Sequence, residues 1–364
     1  MRPSKVVNEI ELWSSILDKR GVPITACPII MPYDMLDGGV TLEKSIQCCL
    51  DQCALQGPPN ITVTINLFHT ASIFGPTKTP IETAMQKVQG TKDTIQTLAR
   101  VIAAAAATAT TRTLLHAHLI LTSSMAAVRG PGQQPSNKSY FTSQHDWNTI
   151  STCGTDSSWG MCYQWSKMYS ERLSWKLCDE LNISMTSLCP SFIIGPLLSG
   201  SLLEEQEHNL VSLPYSLELI KSWLNGDSPV QSRLFVDVRD VAAAHVAAAT
   251  TRDLIHKNSH SSKYYRQRRY LVSTERRIPA QEVAHTLLKI IEQEQEQNRQ
   301  QQQEQQITIK KKMYCDDKFD GGYIPIGQIE VLTSDMLRDD LGVTCRPIQE
   351  SLIDTARQLL LWLK

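Results

Sequence analysis

Tyr163 and Lys167 are the residues of this sequence whose types and spacing could move a proton. Four residues apart on a helix, their side chains stack on one face. An ammonium beside a phenol stabilises the phenolate and draws the tyrosine pKa down from about 10. Such a pair can exchange a proton with a substrate oxygen. The spacing alone is common, and an exposed helix pair has the same pattern. Its surroundings make it more specific. Upstream, an apolar run ends in Thr122-Ser123-Ser124. A hydroxyl at the C-terminal end of a parallel strand points into the crevice where α/β proteins bind ligands. Ser124 is therefore placed to hydrogen-bond a reacting carbonyl, with Ser123 as the substitute if the register slips by one residue. Phe68-His69-Thr70-Ala71-Ser72 and Pro190-Ser191-Phe192-Ile193-Ile194-Gly195-Pro196 stand at the ends of two further apolar runs.

Positioning these pieces requires a sheet with crossover helices. Ile61 to Phe68, His118 to Thr122, Ser184 to Cys189, Leu234 to Val238 and Arg269 to Val272 read as short strands. Pro80 to Ala107, Met161 to Leu181, Val241 to Ala249 and Pro279 to Ile291 read as helices between or after them. That alternation is the pattern of a parallel α/β sheet. Pro80 suits a first helical turn, and Asp240 suits an N-cap. In the helix that carries Tyr163, residues Trp165, Met168 or Tyr169, Leu173 and Leu177 share a face. His69, His245 and Asp240 read as packing or helix-start residues. A polar loop rich in Gly and Pro runs from Arg129 to Lys138. Gln293 to Gln306 is almost wholly Gln and Glu, with no apolar face to bury. It reads as a solvated helical extension or a disordered insertion, and it lacks the apolar a and d positions of a coiled coil.

Composition excludes other classes. Lys plus Arg is 36 and Asp plus Glu is 37, a net charge of −1, whereas nucleic-acid binding needs a basic stripe. Charged residues make up 20% of the 364, an ordinary globular balance. No membrane span is expected, because the most apolar stretch, Ile193 to Leu203, is short and broken by Gly195, Pro196 and Gly200. The 10 cysteines form no CxxC pair and no His cluster accompanies them, so they read as reduced thiols of a cytoplasmic protein. Cys49 and Cys53 share a helix face but lack two further metal ligands.

Taken together, the pieces resemble the extended short-chain dehydrogenase/reductases of the NAD-dependent epimerase/dehydratase superfamily. Within it they are most similar to the dihydroflavonol 4-reductase and cinnamoyl-CoA reductase group. The matching segments are Tyr33 to Asp37, Phe68 to Ser72, Val88-Gln89-Gly90-Thr91, Leu121 to Val128, Tyr163 to Lys167, Pro190 to Pro196 and Phe235 to His245. The resemblance implies that Ser124, Tyr163 and Lys167 form the catalytic set. It implies that Asp34 and Met35 flank an adenine, and that Thr70, Ala71 and Ser72 run under ribose and pyrophosphate. Lys167 would also hold the nicotinamide ribose, and Pro190, Ser191, Phe192 and Ile193 would pack beside the nicotinamide. The cofactor so implied is NADP(H) rather than NAD(H), and the substrate a small carbonyl or alcohol compound.

Two departures stand out. The family's Gly-x-x-Gly-x-x-Gly crossover is not found before Asp34, which reads as an N-terminally truncated domain of doubtful stability. Lys87 stands where the family usually carries Asn before Val-x-Gly-Thr. The expected fold is thus a Rossmann-like, doubly wound parallel sheet. Residues 1–195, with 231–254 returning to them, form the cofactor part; 196–230 and 255–364 form a substrate-covering part, with 293–306 inserted. The expected activity is NADP(H)-dependent reduction of a carbonyl, by a monomer or homodimer. A 3β-hydroxysteroid dehydrogenase, a sugar epimerase of the same fold, or a non-catalytic remnant that lost its cofactor are the alternatives.

Overall fold

The computed structural model describes residues 34, 36–56, 62–70, 72, 74–108, 114–197, 213–251, 268–300, 315–316, 327–332 and 334–362. Residues 1–33, where the crossover is missing from the sequence, lie outside the described residues. So do Met35, Ala71 and the second half of the Gln-rich segment, 301–306.

The described chain opens on helix α1 (Val40–Gln56), whose first turn is capped by Asp37: its carboxylate accepts from Gly39 N at 2.9 Å and Thr41 N at 2.9 Å. Strand β1 (Thr62–His69), helix α2 (Pro80–Thr108), strand β2 (Leu114–Thr122), helix α3 (Trp159–Glu180) and strand β3 (Ser184–Pro190) follow in strict alternation. A parallel neighbour cannot be reached by a tight hairpin, so each crossover carries a helix. The short strand β4 (Phe192–Ile194), helix α4 (Tyr215–Asn225), β5 (Val230–Gln231), β6 (Phe235–Asp237) and helix α5 (Val238–Thr250) come next. Strand β7 (Arg269–Val272) rejoins the main sheet, and α6 (Ala280–Gln300), β8 (Cys315–Asp316), α7 (Ser334–Leu341) and α8 (Ile348–Trp362) complete the described elements.

The main sheet is parallel, in the order β1-β2-β3-β7. Its register brings the strand ends together: His69 pairs with Leu121, Thr122 with Leu188, and Pro190 with Val272. Both faces of β2 are covered. Leu119 and Leu121 pack with α1, α2 and α3, while Ile120, between them, packs with α5 on the other side. A strand buried on both faces reads as a continuous apolar run, which is why Leu119 to Leu121 shows no alternation. A separate apolar cluster joins α4, α6 and α8 around Trp223, Ile220, Leu287 and Leu359, and it reaches the second ladder through Ile194 and Phe235.

The strands and helices named from the sequence are present, and β7 matches residue for residue, whereas α4, α7, α8 and the short strands β4, β5 and β8 were not anticipated. Two local expectations are corrected. The N-cap of α5 is Asp237, whose carboxylate accepts from Arg239 N at 2.7 Å, not Asp240. Asp240 lies within the first turn and binds Arg346 instead, at 2.8 Å to the backbone N and 2.9 Å to Nε. The face of α3 that is buried is also different. Cys162, Ser166, Ser170, Glu171, Ser174, Leu177 and Cys178 point inward. Trp165 stacks on Tyr169 at 4.9 Å between ring centroids, and Tyr169 is exposed. Small serines let α3 lie close against α2 and the sheet, which larger side chains on that face would prevent. The helix α6 continues to Gln300, through the first half of the Gln-rich segment, with Glu292 and Gln293 exposed.

Candidate active site

Three elements converge at the C-terminal ends of β1 and β2. Ser158 caps α3, accepting from Met161 N at 3.3 Å, and so starts the helix one turn before Tyr163. Ser124 leaves β2 in extended conformation and caps a 3₁₀ turn over Met125–Ala127, accepting from Ala126 N at 3.1 Å. The Ser124 side chain lies beside the Tyr163 phenol and favours its ionised form. Lys167 Nζ donates to Thr122 O at 3.2 Å, which ties α3 to the end of β2. The predicted set of Ser124, Tyr163 and Lys167 is therefore brought together.

Ser123 points the other way. Its hydroxyl donates to Glu171 Oε2 at 2.7 Å. Ser187 Oγ donates to Glu171 Oε1 at 2.7 Å, and Arg269 Nε donates to the same oxygen at 2.7 Å. Glu171 and Arg269 are both fully buried. Arg269 also donates to Ser143 O at 2.9 Å and Asp146 O at 2.6 Å, and lies 3.7 Å from the centroid of the Trp147 ring. One buried ion pair thus fixes Ser123, the sheet and the polar loop before α3. Sequence reasoning missed it, although Tyr163, Lys167 and Glu171 recur every four residues on one face.

Charge at the site follows from burial. Burial pushes the Tyr163 phenol up to about 12, against the opposing influence of the Ser124 hydroxyl. The sequence expectation of a lowered tyrosine pKa is thus outweighed by burial, and Tyr163 is a protonated donor at neutral pH. Burial, and then the ammonium of Lys87, bring Lys167 down to about 8. Burial, and then Lys167, bring His69 down to about 4, so it is neutral. His69 Nε2 lies 3.3 Å from Thr91 Oγ1, the packing contact expected of it, while its Nδ1 is buried with no partner among the described residues.

Aromatic rings close over Tyr163. Phe74 meets it at 4.7 Å between centroids, and Phe74, Trp159 and Tyr215 meet one another at 5.2–6.2 Å. Phe74 lies two residues past the Phe68–Ser72 motif and Tyr215 in a stretch without one, and no spacing links them to Trp159 or Tyr163, so the sequence carried no signal for this cluster.

Of the other expected binding residues, Ser72 and Lys167 line one small polar cavity with His69. Thr70 is exposed beside it in the chain. Pro190 ends β3, Ser191 N donates to Val272 O at 3.1 Å, and Ser191 Oγ is buried without a partner among the described residues. Phe192 and Ile193 sit in β4 and pack into two different apolar clusters. Asp34 lies before α1, where its carboxylate accepts from Leu36 N at 2.8 Å. Its described contacts are with Leu36, Asp37 and Thr41, and none is with the catalytic set.

Known proteins are similar to this chain. The chain is 29% identical over 219 residues to cinnamoyl-CoA reductase 1 of Arabidopsis thaliana, covering 58% of this chain and 53% of that protein. It is 29% identical over 147 residues to the NADPH-dependent methylglyoxal reductase GRE2 of Saccharomyces cerevisiae, covering 38% of this chain and 40% of that one. It spans about half or less of the length of these curated relatives. Among solved structures, Gre2 of Candida albicans in complex with NADPH superposes with a TM-score of 0.62 at 21% identity, over 96% of this chain and 89% of that one. The model of the NAD dependent epimerase/dehydratase family matches residues 60–261, more than half of the chain and every strand of the main sheet except β7. With that match over more than half of its length, the chain belongs to the NAD dependent epimerase/dehydratase family.

Proposed function

We propose that this protein is an NADP(H)-dependent reductase of a carbonyl compound, similar to the dihydroflavonol and cinnamoyl-CoA reductases. One observation carries the reading: a protonated Tyr163 lies beside Ser124 at the strand ends, with Lys167 one turn away on α3 and bonded to Thr122 O. Tyr163 donates the proton to the substrate oxygen. Ser124 orients that oxygen, and Lys167 supplies positive charge as phenolate character develops. A reduced nicotinamide supplies the hydride when it is bound. The residues fit its nicotinamide and ribose end, because His69 Nδ1, in the cavity that Ser72 and Lys167 line, and the Ser191 hydroxyl, just after β3, are buried polar atoms without partners among the described residues.

By the family resemblance, Pro190, Ser191, Phe192 and Ile193 flank the nicotinamide, Thr70, Ala71 and Ser72 the ribose and pyrophosphate, and Asp34 and Met35 the adenine. NADP(H) is preferred because relatives and fold neighbours are described as NADPH-dependent or as NADPH complexes. The cofactor part comprises 1–195 and 231–254, and the remainder covers the substrate. The rings of Phe74, Trp159 and Tyr215 favour an apolar, planar carbonyl compound over a sugar, which asks for hydrogen-bonding groups.

The test is NADPH consumption by the purified chain with a panel of aromatic and aliphatic aldehydes and ketones, beside Tyr163→Phe. Loss of the general acid is expected to lower turnover about 10²–10⁴-fold. Equal turnover by the variant overturns the assignment, and absence of NADPH binding by the native protein favours the non-catalytic remnant.

A further inference from the structure

Lys87 is a lysine on α2 that the mechanism above does not use, and only 6% of its side chain is exposed. Its ammonium lies 4.7 Å from the centroid of the Tyr163 ring. It lines a cavity of about 20 Å³ together with Lys167, His69, Ser72 and Thr91. A lysine is seldom buried unless something in the site uses its charge or its proton. Among the described residues Lys87 has no carboxylate partner. The nearby carboxylate, Glu171, is committed to Arg269.

We propose that Lys87 is a further residue of the proton-transfer site, a second cation that acts on Tyr163 through the phenol ring and on Lys167 by like-charge repulsion across the cavity they share. The proposal rests on the reading of Tyr163 as the proton donor. A cation over an aromatic ring is attracted to its face, and a ring gaining phenolate charge attracts it more strongly. Two ammonium groups on one small cavity disfavour each other's charged form, so the pair gives up one proton easily. The direction agrees with the charge state of both groups: burial brings Lys87 down to about 8, and burial plus Lys87 bring Lys167 to about 8.

The groups facing this pair from every side are accounted for. Cys162, Tyr163 and Glu171 come from α3, neutral His69 from the end of β1, Cys189 from β3 and Arg269 from β7. Burial pushes the Cys189 thiol up to about 12, so it stays neutral. Glu171 is paired with Arg269, and its remaining pull favours the Lys167 ammonium against Lys87. Among the described residues the two lysines have no ion-pair partner, and Lys87 is a positioning residue that sets how readily Tyr163 and Lys167 change charge.

Trace acetylation with acetic anhydride, read at Lys167 by peptide mass spectrometry across pH, tests this without cofactor or substrate. In Lys87→Met the midpoint of Lys167 labelling is expected about one pH unit higher, a tenfold change in acidity. Lys87→Arg keeps the cation and should leave the midpoint low. Lys87→Gln serves where the Met variant does not fold, with the same upward shift. In the active enzyme, the alkaline limb of carbonyl reduction should move to higher pH in Lys87→Met and stay in place in Lys87→Arg. A Lys167 midpoint that is the same in Lys87→Met and Lys87→Gln as in the native protein overturns the proposal. A native protein that labels as expected but reduces no carbonyl leaves Lys87's role standing and overturns the function assigned above.

Discussion

Replacing Arg269 with Leu should be among the most damaging single changes in the described structure. Arg269 and Glu171 are both 0% exposed, with Nε to Oε1 at 2.7 Å and Nη2 to Oε2 at 3.2 Å. Removing the guanidinium leaves a buried carboxylate held by the hydroxyls of Ser123 and Ser187, with longer contacts from Trp175 Nε1 at 3.4 Å and Cys189 Sγ at 3.8 Å. It also orphans the carbonyls of Ser143 and Asp146. Breaking one side of a buried pair typically costs about 3–5 kcal/mol, because the remaining charge is uncompensated. Against a total of about 5–15 kcal/mol, that consumes a large share of the stability. The double variant Arg269→Leu/Glu171→Leu should recover part of the loss, since no lone charge remains. Urea unfolding of the four proteins reads both numbers from the midpoints at constant m-value.

The pair also fixes a pH dependence. Burial works to raise the Glu171 pKa, but attraction to Arg269 and hydrogen bonds from Arg269, Ser123 and Ser187 outweigh it and hold it below the ordinary value of 4.5. Stability from this group is therefore present above the unfolded carboxyl's pKa and is lost as pH falls through the lower native one. A loss below about 1 kcal/mol in Arg269→Leu, or a double variant weaker than either single one, would refute this account.

Further outcomes follow from single contacts. Ser124→Ala should lower kcat by removing the hydroxyl beside Tyr163, and should cost about 1 kcal/mol in urea unfolding through the lost cap on the 3₁₀ turn. Ser123→Ala should instead cost about 1–3 kcal/mol in urea unfolding by taking a donor from buried Glu171. Gly195→Ala should lower the Tm by several degrees. Gly195 has φ of +130°, and a Cβ there would meet Val238 Cγ1 at 2.8 Å and Asp237 Oδ1 at 3.2 Å. Strain of that kind costs about 1–3 kcal/mol. An unchanged melting curve would show that the chain leaving β4 relaxes freely.

Much of the frame was legible in the chain itself. Strands such as Arg269 to Val272 and Ser184 to Pro190 are short apolar runs bounded by polar residues or proline, and such signals are local. The α2 start at Pro80 is local too, since proline fixes φ and lacks an N–H that a first turn does not need. The spacing of Tyr163 and Lys167 places both on one helix face whatever the rest of the protein does. Even the odd residue, Lys87 in place of an expected Asn, could be marked without coordinates.

Tertiary packing decided what spacing leaves open. A helix has several faces, and it was the close approach of α2 and the sheet that buried the serine face of α3 and left Trp165 and Tyr169 outside. Neighbouring residues leaving a strand point to opposite sides, so Ser123 and Ser124 were equivalent until Glu171 claimed Ser123. The tyrosine's own charge state turned on burial, which overrode the lysine beside it in sequence. The cation over the Tyr163 ring comes from a different helix, as does the arginine that holds the loop before α3 from a different strand. Contacts of that kind join residues far apart along the chain, and no periodicity records them, because they exist only once the helices and strands have packed.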